Sequence, residues 1–197
     1  MDGTPPALCG LVLAAGAGAR FGGPKALARE ADGTPWVELA VRMLRASGCA
    51  CVLVALGASA EEARGLVPPD ADIVIVEDWP EGVSASLRAG LAVASARLAE
   101  AVLIAPVDTP DATAGAAARV ISRAGTPLAS ALARAVYDGR PGHPVLIGRD
   151  HWAGVVESAR GDQGARAYLA TLDVVGVECG DLATGRDVDR GGAVSGP

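Results

Sequence analysis

Aromatic side chains make up only 3% of the 197 residues although half of the chain is hydrophobic. A core of stacked rings is therefore excluded, and Ala, Val, Leu and Ile must fill the interior, a content suited to helices packed closely on an aliphatic sheet. Lysine is almost missing: Lys25 stands alone beside 16 arginines. A formal net charge of -6 provides no positive field for nucleic acid or an anionic membrane, so neither is expected as a partner and any phosphate site must be local. No apolar run reaches the ~18 residues of a membrane span. The start, Met1-Asp-Gly-Thr-Pro-Pro6, lacks the basic opening of a secretory signal, and a cytoplasmic protein is expected.

Cysteine is sparse and scattered, at positions 9, 49, 51 and 179, and only two histidines accompany it. No zinc spacing emerges. Cys49 and Cys51 form a CxC that strand alternation would place on one face. Buried, reduced thiols are the expectation, in keeping with a cytoplasmic chain.

What is present is an alternation of apolar β-branched runs with helical spacing. Strands are expected at 7–13, 50–56, 73–76 and 101–106. Helices are expected at 35–46, from Ser59, and at 84–99. Strands alternating with helices imply a parallel sheet covered on both faces, with ligands at the carboxyl ends of its strands. The later segments 127–137 and 145–147 read as strands flanking the loop Asp138-Gly-Arg-Pro-Gly-His-Pro144, an antiparallel excursion. A short helix at 164–172 and a strand at 174–179 follow. The chain reads as one domain over 1–190, with a disordered tail at 191–197.

The first loop, Leu13-Ala-Ala-Gly16-Ala-Gly18-Ala-Arg20-Phe-Gly-Gly-Pro-Lys25, combines glycines that let backbone amides approach an anion with two cations. A dinucleotide fingerprint fits poorly, because Pro24 interrupts the segment and the second strand ends in Leu56-Gly-Ala-Ser59 without an acid for the ribose. A P-loop fails too, since Ala26 follows Lys25.

Taken together, these residues resemble the nucleotidyltransferase signature LAAGxGxRxGxxK, and nearest of all the molybdenum-cofactor nucleotidyltransferases. Further counterparts follow in order: Gly82-Val-Ser-Ala-Ser-Leu87, Val107-Asp-Thr-Pro110, Gly142-His-Pro-Val145, Gly161-Asp-Gln-Gly-Ala-Arg166 and Asp187-Val-Asp189. The resemblance implies an α/β Rossmann-like nucleotidyltransferase fold that transfers a nucleoside monophosphate to a phosphorylated acceptor and releases pyrophosphate. Leu-Ala-Ala-Gly rather than Leu-Ala-Gly-Gly, and the Gly82–Leu87 segment, favour CTP over GTP, with molybdopterin as acceptor and a molybdoenzyme or its chaperone as a further partner.

By that resemblance Arg20, Lys25 and Asp108 are catalytic, and Leu13, Ala14, Ala15, Gly16, Gly18, Lys25, Asp78, Ser84, Ser86 and Asp108 bind nucleotide. Arg140, His143, Asp162 and Arg166 face the acceptor. Mg2+ takes hard oxygen ligands, here Asp108 and Asp189 with Asp187 in reserve. Other readings stay open: Asp108 and Ser84 as helix caps, Asp187 and Asp189 as solvated acids, and His143 as a turn residue. His151 reads as structural. Phe21 and Thr109 depart from the family's usual Met and Met or Gln. GTP, a sugar or polyol phosphate acceptor, and a non-catalytic pterin chaperone are the alternatives.

Overall fold

The computed structural model describes residues 7–189, so the expectation for 191–197 lies outside the described residues. The apolar run Leu8–Ala14 forms β1, at the heart of a seven-stranded sheet ordered β3-β2-β1-β4-β6-β5-β7. Strands β2 (Cys51–Leu56) and β4 (Ala101–Pro106) flank it in parallel, and β3 (Asp72–Ile75) pairs in parallel outside β2. Every residue of β2 is buried, which is why it reads as a continuous apolar run rather than an alternating one.

Helices cover both faces. Helices α1 (Trp36–Ala46), α2 (Ala60–Arg64) and α4 (Ala114–Arg123) pack with Val12, Val52, Val54 and Leu103 on one side. Helices α3 (Val83–Ala96), α5 (Trp152–Ser158) and α6 (Arg166–Leu169) pack with Leu11, Leu53, Val102 and Ile147 on the other. Close approach depends on missing side chains. A Cβ at Gly10 would lie 2.9 Å from Leu44 Cδ1, and one at Gly90 would lie 2.5 Å from the Leu11 methyls. Aromatic scarcity is thus matched by a tight aliphatic sandwich.

The second half adds a hairpin, β5 (Leu132–Tyr137) and β6 (Arg140–Gly148), with β6 antiparallel to β4, and then β7 (Val175–Glu178) parallel to β5. Asp138 (φ 51°) and Gly139 (φ 75°) form a two-residue turn with both residues left-handed, the geometry that matches strand twist and favours Asp-Gly. The loop expected at 138–144 is therefore largely strand, whereas 127–131 is a short 3-10 turn instead of strand. Two helices were not anticipated. Helix α4 is started by Thr113, whose hydroxyl accepts the Ala116 amide at 3.2 Å, and α5 covers the sheet with Trp152 and Val155. Among the described residues, no helix is long and apolar enough to cross a membrane.

The cysteine expectation is overturned for one pair. Cys9 and Cys51 are register partners on β1 and β2 and form a disulfide, with Cα atoms 4.8 Å apart. Cys49 and Cys179 are free and buried. Cys49 faces the opposite core from Cys51, because its amide still bonds the end of α1 at Leu44 O (3.2 Å) and strand alternation has not yet begun.

Candidate active site

The glycine loop leaves β1 at the carboxyl edge of the sheet. Gly18 organises it: its carbonyl oxygen accepts the amides of Phe21, Gly22 and Gly23 at 2.9, 3.0 and 3.2 Å. Gly18 has φ 61°, and a Cβ there would overlap Gly23 O, so only glycine fits. Among the described residues, the amides of 16–20 donate to no protein acceptor. A Cβ at Gly16 would meet nothing within 4 Å. The amides left open to an anion are thus those at the front of the loop, whereas the later ones hold its shape. Leu13 O and Ala15 O accept Val107 N and Ala58 N, both at about 3 Å, tying the ends of β4 and β2 to this loop. Ala14 and Ala15 are buried.

Lys25 projects from the short 3-10 turn Lys25–Leu27 that follows the loop. Its ammonium donates to Asp108 Oδ2 at 2.6 Å and to Asp189 Oδ1 at 3.2 Å. The Lys25 side chain is only 15% exposed. Burial, the largest single influence, lowers its pKa, but the hydrogen bonds and charges of Asp108 and Asp189 together outweigh it and hold the ammonium above the ordinary lysine value. Arg20, at the rim, has its guanidinium 3.9 Å from Asp189.

Asp108 follows β4 directly. It is not a helix cap, since Thr113 caps α4. The Asp187–Asp189 segment arrives from the far end of the chain and is strapped in place. Thr184 donates through amide and hydroxyl to Asp111 Oδ2 at 2.7 and 2.6 Å, and Val188 N donates to Asp108 O at 2.9 Å. Val188 packs on the core. Burial first, then the charges of Asp108 and Asp189, push the Asp187 pKa up, with Lys25 and Arg166 opposing. Asp108 and Asp189 therefore share one ammonium with Asp187 within electrostatic reach. Among the described residues, no three carboxylate, imidazole or thiolate side chains are already disposed as metal ligands; Lys25 holds the place between Asp108 and Asp189.

The residues expected to face an acceptor divide. His143, on β6, lies within electrostatic reach of Asp108 and Arg166, and burial pushes its pKa down to about 4. Its carbonyl accepts the Tyr137 hydroxyl at 2.7 Å. Exposed Arg166 reaches both His143 and Asp187 electrostatically. Arg140 sits exposed at the hairpin tip, paired with Tyr137. Asp162 accepts the first amide of α3, from Val83, at 3.4 Å, and so sits as a carboxylate at a helix N-terminus.

Of the residues expected to bind nucleotide, Asp78 is exposed beyond β3. Ser84 and Ser86 are buried within the first turns of α3. Ser84 is not the cap, a position taken by Gly82 at φ 99°, and among the described residues its hydroxyl finds no partner. His151 is structural as expected, its ring nitrogens each 3.1 Å from Tyr168 Oη and Ser130 O.

Sequence reasoning missed two contributors, Gly57 and the Asp111–Thr184 tether. Gly57 lets Trp79 pack against the glycine loop, where a Cβ would press on Trp79 Cβ and Ala15 O; the Gly at the end of β2 was the available signal. Phe21 packs tilted against Trp36, with ring centroids 5.4 Å apart, and its centroid lies 5.9 Å from the Lys25 ammonium. The Asp111–Thr184 tether had no signal beyond two ordinary polar residues.

Residues 10–175 match the MobA-like NTP transferase domain. The chain is 35% identical over 195 residues, 93% of each sequence, to the nicotine blue oxidoreductase of Paenarthrobacter nicotinovorans. Its fold superposes with a TM-score of 0.80 and 29% identity on the Rv0371c homologue of Mycobacterium sp. strain JC1, covering 93% of this chain and 90% of that one. The manganese complex of Rv0371c from Mycobacterium tuberculosis H37Rv gives 0.73 at 25% identity over 89% of each chain. The chain belongs to the MobA-like NTP transferase domain family and is an enzyme of the nucleotidyltransferase type.

Proposed function

We propose that the protein transfers CMP from CTP to the phosphate of molybdopterin, releasing pyrophosphate, with Mg2+ bound by Asp108 and Asp189. The observation that carries this reading is the shared Lys25 ammonium, 2.6 Å from Asp108 and 3.2 Å from Asp189, beside the open amides of 16–20. Hard carboxylate oxygens fit a hard divalent ion, and the Rv0371c relative was crystallised with manganese. When bound, the ion neutralises charge on the triphosphate.

The chain's own groups account for positioning. The loop amides face the phosphates, Lys25 and Arg20 meet the charge that gathers on the departing pyrophosphate, and the first turn of α3 with Ser84 and Ser86 borders the nucleoside. Arg166 and neutral His143 receive the acceptor phosphate. One acceptor oxygen bonds to the α-phosphorus as the bond to the bridging oxygen breaks, a reaction that depends on alignment and electrostatics more than on covalent help from the protein.

A second reading, oxidoreductase chemistry on nicotine blue or a related compound, is favoured by the 35% identical relative. Pyrophosphate release from CTP, GTP, ATP and UTP with molybdopterin, run beside a nicotine-blue bleaching assay, separates the readings. Release confined to CTP supports the proposal. Release confined to GTP shifts the base assignment, and bleaching without pyrophosphate release overturns the transfer reading. Nucleotide binding with neither outcome points to a pterin chaperone.

A further inference from the structure

Lys25 is placed where a metal-binding site would put its ion. Its ammonium bridges Asp108 and Asp189, and its stem runs past the Phe21 ring, 5.9 Å from Nζ to the centroid. The backbone that carries the carboxylates is held at both motifs. Asp108 is anchored through its carbonyl by Val188 N, and Thr184 straps the segment that carries Asp187 and Asp189 to Asp111. A divalent ion arriving alone must either displace this ammonium or sit beside it against like-charge repulsion. A triphosphate changes the balance, because the open amides of 16–20 and the rim cation Arg20 place its oxygens next to the same flexible side chain. Lys25 then exchanges a carboxylate for a phosphate and no longer opposes the ion beside Asp108 and Asp189.

We infer that Lys25 is the resting counter-ion of the Asp108–Asp189 pair and couples metal entry to triphosphate binding, so that the site takes metal together with nucleotide and holds metal alone poorly. This rests on the metal-site reading of Asp108 and Asp189 given above. Coupling of this kind is reciprocal: nucleotide tightens metal by the factor by which metal tightens nucleotide. The charge on Lys25 is the coupling element, so removing it raises affinity for metal alone while weakening nucleotide.

The test is Mn2+ binding followed by electron paramagnetic resonance, with and without the α,β-methylene analogues of CTP and GTP, corrected for the Mn2+ held by free analogue. Wild type is expected to bind Mn2+ at least about 10-fold more tightly with an analogue than without. Lys25→Met is expected to bind Mn2+ alone about 10-fold or more tightly than wild type, with the coupling reduced several-fold. Equal Mn2+ affinity of wild type with and without both analogues overturns the inference, and that arm needs no variant to fold. Equal affinity of folded Lys25→Met and wild type for Mn2+ alone overturns it as well, while leaving the metal site intact. Absence of Mn2+ binding in every arm removes the metal-site reading and the inference with it. Lys25 is also the chain's only lysine, so its labelling by an amine reagent, read by mass spectrometry, is expected to change when Mn2+ and analogue are added together and not with Mn2+ alone; labelling changed equally by Mn2+ alone overturns the coupling.

Discussion

The carbonyl oxygen of Asp108 accepts the amide of Val188 at 2.9 Å. This one main-chain bond joins two acidic motifs 80 positions apart and sets the Asp187–Asp189 segment beside the carboxylate at the end of β4. Because backbone atoms make the link, the main chain of Asp108 serves assembly independently of its side chain, which we propose serves the chemistry.

Asp108→Asn should therefore abolish most turnover while leaving the fold in place. A loss of about 10²–10³ in kcat is expected for removing a principal electrostatic group, with a thermal midpoint close to wild type. Steady-state kinetics over a metal titration and a melting curve check it. Metal-dependent turnover that survives the substitution would remove Asp108 from the site.

Gly18→Ala tests the loop. The residue has φ 61° and its added Cβ would overlap Gly23 O, so three amide bonds to Gly18 O must be distorted. A destabilisation of about 1–3 kcal/mol is expected from left-handed backbone strain and overlap. Nucleotide affinity should fall with it. Gly16→Ala, at a position with no atom within 4 Å of the added Cβ, should spare stability and affect only nucleotide affinity. Denaturant unfolding and calorimetric titration with nucleotide separate the two.

His143 gives stability a defined pH slope. Burial lowers its folded pKa to about 4, below the ordinary histidine value of 6.5, so between these values the unfolded chain binds more protons than the folded one. Stability from this group is present above pH 6.5 and is lost as pH falls toward 4. The contribution is on the order of 2 kcal/mol once partial exposure of the residue is allowed for. His143→Gln should flatten that part of the stability profile between pH 7 and 4. An unchanged slope would show that His143 is protonated freely in the folded state.

How much of this was legible in the sequence depends on what each feature uses. Strands β1, β2 and β4 were readable because burial on both faces leaves unbroken apolar runs. Lys25 and Asp108 were readable from motifs, whereas the two-residue Asp138-Gly139 turn was hidden inside the segment 138–144 read as one loop. Helix α4 was missed although Ala114–Arg123 is strongly amphipathic, its start depending on one Thr113 hydroxyl. The position of Asp162 at the N-terminus of α3 comes from a tertiary approach across 79 residues that no local pattern records. The choice between Asp187 and Asp189 was unreadable for a similar reason, since both flank Val188 and only three-dimensional placement puts Asp189 on Lys25.

The disulfide shows the same limit from another side, and it yields a sharp measurement. Cys9 and Cys51 are ordinary buried positions in sequence, and they meet because β1 and β2 are adjacent and in register. Their link closes a separation of 42 residues in the middle of the sheet, far along the strands from the glycine loop. Restricting the unfolded chain over that loop stabilises the fold by about 2–4 kcal/mol. Denatured but unreduced protein should titrate two thiols, those of Cys49 and Cys179, and four after reduction. Native protein should titrate almost none, since both are buried and burial pushes the Cys49 thiol up to about 11, away from the reactive thiolate. The Cys9→Ser, Cys51→Ser double variant should unfold at lower denaturant while keeping its nucleotide affinity, because the bond lies at the opposite end of β1 from the loop. Four thiols in the denatured, unreduced protein would show that the pair remains reduced, and the double variant should then match wild type in stability.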